Sequence, residues 1–293
     1  MEGPTASGKT SVSVVLAKYF NTCVLSADSR QFYRGIEIGT AKPSSIEQDG
    51  ITHFFIDSHN LTDQVSSARY EREALHVLET EFKTKDVIVL VGGSGMYIDA
   101  LCNGLNPIPS SQEMKEAVQK DFEEKGLPPL ILELKENDPQ YYAQVDKKNP
   151  MRILRAIEVI RLTGKTFTEL RSPDPIIRPF LTHRYVLEHD REILYERINK
   201  RVDTMIENGL IQEAESVKHL QALTSLNTVG YKELFDYLDG NSSRNDAIDL
   251  IKRNSRRYAK RQITWFKKHK AKWINFTTVN QVVEEIIADF NSR

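Results

Sequence analysis

A chain of 293 residues, 40% hydrophobic and 28% charged, is long enough to bury a full core, and a formal net charge of −1 gives no global signal for nucleic acid. Two cysteines far apart, Cys23 and Cys102, exclude a disulfide framework and a cysteine-based zinc site. With no apolar run approaching ~18 residues and no leader-like start, neither a membrane span nor secretion is predicted, and the cytoplasm is the expected location.

The first element in the chain is a loop. Gly3, Pro4, Thr5, Ala6, Ser7, Gly8, Lys9 and Thr10 fit G-x-x-x-x-G-K-[ST], whose backbone amides curl around a phosphate chain. In that pattern Lys9 reaches the outer phosphates and the Thr10 hydroxyl helps to hold magnesium. A helix from Thr10 to about Phe20 then presents its N-terminus to the same oxygens, so a diphosphate or triphosphate ligand is expected. A loop of this kind follows a buried strand, yet only Met1 and Glu2 precede Gly3. Either the start is truncated or mis-assigned, or another segment fills the strand's place; the first is the expectation, with reduced stability as its consequence.

Val24 to Ala27 and Val87 to Val91 are short continuous apolar runs, each ahead of a helical stretch, as in parallel strands buried on both faces. Asp28, Ser29, Arg30 and Gln31 follow the first run, at the carboxyl end where ligands sit in such sheets. From spacing alone, Asp28 is equally a helix cap and a functional carboxylate that holds magnesium or accepts a proton. The following stretch, Tyr33 to Pro43, is rich in glycine and polar groups, more like a substrate loop than core. Gly92-Gly93-Ser94-Gly95 after the second run permits close backbone approach to a ligand, although a plain strand-to-helix turn explains it at least as well.

After the Pro-broken stretch Asn106 to Pro109 the chain reads as helices to Gly164, with further breaks at Pro173, Pro175 and Pro179. Residues 113–180 are therefore predicted to be a helical insertion between core segments 1–112 and 181–293. Arg152 and Arg155 share a helix face there and could grip phosphates, though such a pair is usually a solvated face. Arg184 to Leu187 reads as a later strand of the same sheet and leads into a helix from Arg191 to Asn208; that helix carries Arg201, for which the residues alone favour a solvated position. A long helix from Ala247 to about Lys268 comes next, then a short strand at Trp273 to Phe276 and an amphipathic helix. Residues 252–272 hold ten Lys or Arg and no acid, with Tyr258, Trp265 and Phe266 interleaved. Two stripes, Lys252/Arg256/Lys260 and Arg253/Arg257/Arg261, suit a phosphate backbone and predict salt-sensitive RNA binding. The fold class is α/β, with a P-loop NTPase-like parallel sheet core and a helical insertion.

The stretches GPTASGKT, ADSRQFYRGIEIGTAKPS, VGGSGMYIDAL, NPMRILRAIEVIRLTGK, RVDTMIENGLIQE, TVGYKEL and RRYAKRQITWFK, in this order over nearly the whole chain, resemble the tRNA dimethylallyltransferase (tRNA isopentenyltransferase) family. The resemblance implies transfer of a dimethylallyl group from its diphosphate to the exocyclic N6 of the adenosine 3′ of the anticodon, position 37, with release of diphosphate. It makes Asp28 the general base, Thr10 the magnesium ligand and Arg201 a diphosphate contact, with the loop Gly3–Thr10 as the diphosphate or nucleotide site. It implies that Asp28 to Gln31, Ser94 and the stretch Met151, Arg152, Ile153, Leu154 and Arg155 touch tRNA, while the insertion clasps the anticodon loop. Met151 stands where the family usually has Gln, and Lys115 is the nearest basic residue to an arginine expected at the start of the insertion. Magnesium is the expected cofactor, and tRNA and dimethylallyl diphosphate are the expected partners of a monomer. A small-molecule enzyme (an adenylate prenyltransferase or nucleotide kinase) and a non-catalytic RNA binder are the competing readings.

Overall fold

The computed structural model describes residues 1–171 and 176–292, so the predicted breaks at Pro173 and Pro175 lie outside the described residues. The chain divides into two compact units, Met1–Cys102 with Pro179–Arg293, and Asn103–Arg178.

The first unit opens with α1 (Lys9–Tyr19), β1 (Val24–Ser26), α2 (Ser45–Gln48), β2 (His53–Phe54), α3 (Ser67–Glu81), β3 (Val89–Val91) and α4 (Gly95–Asn103). The three strands form a parallel sheet in the order β2-β1-β3, with Val24 opposite His53 on one side and Val89 on the other. Their side chains alternate between two apolar cores, as a pleated strand buried on both faces must. Val24 and Val89 pack with Val12 and Leu16 of α1, whereas Leu25 and Ala27 pack with Tyr70 of α3 and Ile98 of α4. The parallel α/β arrangement expected from the two apolar runs is present.

The second unit holds α5 (Gln112–Lys125), α6 (Leu127–Asn137), α7 (Pro139–Gln144) and α8 (Pro150–Thr163). Its core gathers Val118, Leu130, Leu134, Ile153, Leu154 and Ile157, with α8 supplying the most buried face. Residues ahead of α5 join this unit through polar contacts. The buried Glu158 carboxylate accepts from the Ser110 hydroxyl at 2.7 Å, and Arg155 donates to the Ile108 and Pro109 carbonyls at 3.1 and 3.0 Å.

The chain then returns to the first unit as β4 (Tyr185–Glu188), α9 (Arg191–Glu207), α10 (Leu210–Val217), α11 (Tyr231–Leu238), α12 (Arg244–Phe266), β5 (Lys272–Asn275) and α13 (Val279–Asn291). β4 and β5 pair in parallel, Tyr185 opposite Lys272, in a separate two-stranded sheet and not in the sheet of β1 to β3 expected for Arg184 to Leu187, because β4 meets Glu2 instead of β3. Met1 and Glu2 lie in the position between β3 and β4. The Met1 carbonyl accepts from the Gly92 amide at 3.2 Å, the Glu2 amide donates to the Tyr185 carbonyl at 2.7 Å, and the Glu2 carbonyl accepts from the Leu187 amide at 2.9 Å. Two residues thus bridge the two sheets at the level where the phosphate loop begins. The Glu2 carboxylate is buried and paired with Arg184 at 2.5 Å, and Arg184 reaches Asp99 at 2.9 Å.

Candidate active site

The phosphate loop is held by its carbonyls. The Lys9 ammonium donates to the Pro4 carbonyl at 2.7 Å, Arg197 donates to the Ala6 carbonyl at 2.8 Å, and His189 Nε2 lies 2.8 Å from the Ser7 carbonyl. A carbonyl can only accept, so Nε2 donates this bond, and burial lowers the pKa of the His189 ring, favouring its neutral form. The Thr5 amide donates to Gln262 Oε1 at 2.9 Å, and the same carboxamide donates to the Gly93 carbonyl at 2.8 Å. Gly8 has φ 88° at the start of α1, a conformation open to glycine, and a Cβ there would lie 2.8 Å from the Phe276 ring. Ala6 also has positive φ, 63°, a strained value that the surrounding contacts maintain.

Thr5 to Ser11 line one side of a cleft of about 850 Å³. Ser26, Asp28, Arg30 and Gln31 form another part of its wall, the stretch Glu37 to Ser44 a third, and α9 from Arg197 to Met205, with Asn208 just beyond it, a fourth. Lys9 and Arg201 face one carboxylate, Asp28, across this space. Burial lowers Lys9 from its ordinary value to about 8; Asp28 opposes the shift and Arg201 adds to it. Burial also lowers the pKa of Arg201, again opposed by Asp28. Two desolvated cations beside one carboxylate leave a positive site that an oligophosphate would neutralise.

Asp28 is half-buried, and its Oδ1 accepts the Arg30 amide at 3.1 Å in a tight turn. Among the described residues its Oδ2 has no hydrogen-bond partner, so this oxygen can accept a proton. Asp28 caps no helix, because its Oδ1 closes a turn through the Arg30 amide instead, and its Oδ2 is left facing the cleft. Arg201 approaches the Thr5 hydroxyl at 3.4 Å, which puts it at the phosphate loop and not on the solvated face that its sequence neighbourhood favoured. No group of three or more His, Cys, Asp or Glu that could hold a metal occurs among the described residues. The cleft offers a hard oxygen donor instead, the Thr10 hydroxyl. That donor fits magnesium, which prefers to keep water and phosphate oxygens as most of its ligands.

Several predicted RNA contacts are engaged within the protein. The Ser94 hydroxyl accepts the Ser29 amide at 3.0 Å and meets the Ser29 hydroxyl at 3.0 Å, so it fixes the turn after Asp28. The Gln31 carboxamide donates to the Ala41 carbonyl at 3.0 Å and steadies the cleft wall. The Arg30 guanidinium lies over the Tyr258 ring at 4.4 Å. The glycines around Ser94 lie hard against neighbouring protein atoms, and Gly92 also lines the cleft. A Cβ at Gly92 would lie 2.3 Å from the Ala27 carbonyl oxygen, at Gly93 2.3 Å from Gln262, and at Gly95 2.2 Å from Trp265.

In the helical unit, Met151, Arg152 and Lys115 are exposed. Ile153 and Leu154 are core residues, 0% and 7% exposed, so their side chains pack and present nothing to RNA. Arg155 is paired with Glu158 at 2.7 Å. Replacing Arg155 with Ala should lower stability by roughly 1–3 kcal/mol, because it removes the cation paired with a buried carboxylate and the bonds to the Ile108 and Pro109 carbonyls, while Arg152→Ala should leave the melting point unchanged. Equal melting points for both variants in thermal denaturation would contradict this.

The basic helix divides differently from its stripes. Lys252 and Arg256 turn toward α9, where they meet Asp203 at 2.6 Å and Asn199 at 2.5 Å. Arg253, Arg257 and Lys260 are exposed, and their side chains carry no ion-pair or hydrogen-bond partner among the described residues. The functional residues that the sequence reading missed are Gln262, Arg197 and His189, which act through bonds to loop backbone. Gln262 did stand within a quoted motif, RRYAKRQITWFK; nothing local marked the other two.

A family model described as IPP transferase matches residues 31–269. The chain is 46% identical to a tRNA dimethylallyltransferase of Cytophaga hutchinsonii over 98% of this chain and 95% of that protein. It is 45% identical to tRNA dimethylallyltransferase 1 of Bacteroides thetaiotaomicron, covering 96% and 92%. Among solved structures it is similar to the full-length tRNA isopentenylpyrophosphate transferase of Bacillus halodurans, with TM-score 0.73, 35% identity and coverage of 99% and 94%. It is also similar to a eukaryotic dimethylallyltransferase described as acting on tRNA, with TM-score 0.82, 25% identity and coverage of 96% and 74%.

Proposed function

This chain belongs to the IPP transferase family and transfers a dimethylallyl group to tRNA, and we propose that the cleft takes the group from dimethylallyl diphosphate and delivers it to N6 of adenosine 37. The observation that carries this reading is the polarity of α9 along the cleft. Arg197 and Arg201 stand at the phosphate loop, and Met205 lies one helical turn beyond Arg201. Residues four apart on a helix are neighbours, about 5–6 Å between Cβ atoms, which matches a short apolar chain joined to a diphosphate. Leu210, Val229 and Ile251 extend the apolar end of the lining.

Lys9 and Arg201 bind the diphosphate and stabilise the charge that grows as the allylic C–O bond breaks. The adenine amine nitrogen forms the new C–N bond, and its proton passes to Asp28 Oδ2. Thr10 would hold magnesium, which would further neutralise the leaving diphosphate. The target base must leave its stack to enter such a cleft. Arg253, Arg257 and Lys260 supply a face for the tRNA backbone, and Arg152, Met151 and Lys115 supply one on the helical unit. The reaction takes place in the cytoplasm on a monomer.

Transfer of labelled dimethylallyl from its diphosphate, with magnesium, to unmodified tRNA and separately to AMP tests this. Label on tRNA alone is expected. Label on AMP alone would move the chain to small-molecule prenyl transfer, and label on neither would overturn the reading.

A further inference from the structure

The cleft wall opposite the phosphate loop is held by a clamp outside the chemistry described so far. Glu213 of α10 accepts the Ile38 amide on Oε2 at 2.8 Å and the Gly39 amide on Oε1 at 2.8 Å. The Tyr231 hydroxyl donates to the same Oε1 at 2.6 Å. Tyr231, the first residue of α11, is fully buried. The loop backbone rests directly on its ring: a Cβ at Gly39 would lie 2.5 Å from the hydroxyl oxygen and 2.6 Å from Cζ. A carboxylate that accepts two consecutive backbone amides and one phenol fixes both the height and the tilt of that peptide.

The clamp holds the Ile38 side chain in place. Ile38 lines the cleft together with Met205, Leu210 and Val229, and packs with them on one apolar core; a Cβ added at Gly209, just past α9, would lie 4.0 Å from its Cδ1. This is the apolar end of the same helix whose Arg201 stands at the phosphate loop. We propose that Glu213 and Tyr231 are positioning residues that hold Ile38 as the end wall of the hydrocarbon pocket and so set the chain length of the allylic diphosphate that the cleft accepts. The inference rests on the prenyl-transfer reading above. A wall tied by hydrogen bonds to the loop backbone cannot yield to a longer chain without leaving two amides and a phenol unpaired, which is costly at a buried site.

The test is the ratio of kcat/KM for dimethylallyl diphosphate to that for geranyl diphosphate, its ten-carbon homologue, with tRNA as acceptor. Tyr231→Phe removes one hydroxyl and keeps the ring that supports Gly39; Ile38→Ala removes the wall and keeps the clamp. Each variant is expected to shift the ratio toward the longer substrate by roughly tenfold or more, the scale at which apolar pockets discriminate. The double variant should shift it no further than Ile38→Ala alone, because both act on one wall. The KM for tRNA should stay within about twofold of the parent. An unchanged ratio in Ile38→Ala would overturn the proposal even if Tyr231→Phe failed to fold. So would a Tyr231→Phe variant that loses both activities equally along with its melting point. Failure of the unsubstituted protein to label tRNA from dimethylallyl diphosphate would instead sink the prenyl-transfer reading, and the clamp's role with it.

Discussion

Asp28→Asn should lower the rate of dimethylallyl transfer by about 10²–10⁴-fold, the range for losing a positioned general base, while tRNA affinity changes little. The substitution is well controlled by the local geometry. Asp28 Oδ1 accepts the Arg30 amide at 3.1 Å, and the carbonyl of Asn accepts the same bond, so the turn and Arg30 over Tyr258 stay in place. Only the proton-accepting oxygen is lost. A second consequence follows from charge. Asp28 raises the Lys9 pKa against the pull of burial, so removing its charge leaves Lys9 with a pKa below the value of about 8 it now has. Rates should therefore be compared at pH 7 or below, where Lys9 stays largely protonated in the parent. Retention of near-parental turnover at pH 7, with single-turnover kinetics to isolate the chemical step, would remove Asp28 from the base role.

Lys9→Met should abolish most transfer and yet make the ligand-free protein more stable. The loss of a cation at the leaving diphosphate should lower the chemical step by about 10²–10³-fold. The stability gain follows from linkage. A lysine whose folded pKa is about 8 against an ordinary 10.5 pays for its burial as an ion at every pH below 8. That penalty fades as pH rises from 8 toward 10.5, where the unfolded chain also loses the proton. At pH 7 the shift corresponds to about 3 kcal/mol, and water in the cleft together with the lost bond to the Pro4 carbonyl reduces the expected gain to roughly 1–2 kcal/mol. The melting point of Lys9→Met should thus exceed that of the parent at pH 7, and the gap should narrow by pH 10. Saturating pyrophosphate should reverse the order, since it binds the parent's ammonium and not the thioether. A variant less stable than the parent at pH 7 would show that the lysine is not strained in the empty cleft.

The stretches with local physical signatures were legible in the sequence. Glycine spacing in Gly3–Thr10 marks a phosphate loop, because only certain backbones turn that tightly, and the structure places it at the cleft with Lys9 and Thr10 lining it. Apolar runs at Val24 and Val87 mark buried parallel strands, and Gly209 at φ 99° ends α9 where the pattern broke. Met1 and Glu2 pair with Gly92 on one side and with Tyr185 and Leu187 on the other through bonds that no local pattern announces.

What only the tertiary structure decided is which of many similar residues does what. Arg152, Arg155 and Arg201 each stand on an amphipathic helix, and the sequence alone favoured a solvated face for all three. Folding leaves Arg152 exposed, pairs Arg155 with the buried Glu158, and brings Arg201 to the loop at Thr5, which is 196 positions away. Gly92, Gly93 and Gly95 carried the look of a ligand turn, yet the atoms that need their missing side chains belong to Ala27, Gln262 and Trp265. The same holds for Glu213 and Tyr231 on the cleft wall. Helical and strand periods reach a few residues along the chain, so they report which face is apolar. Charge pairing and steric clearance depend on distance in space, and between segments so far apart only the folded backbone sets that distance.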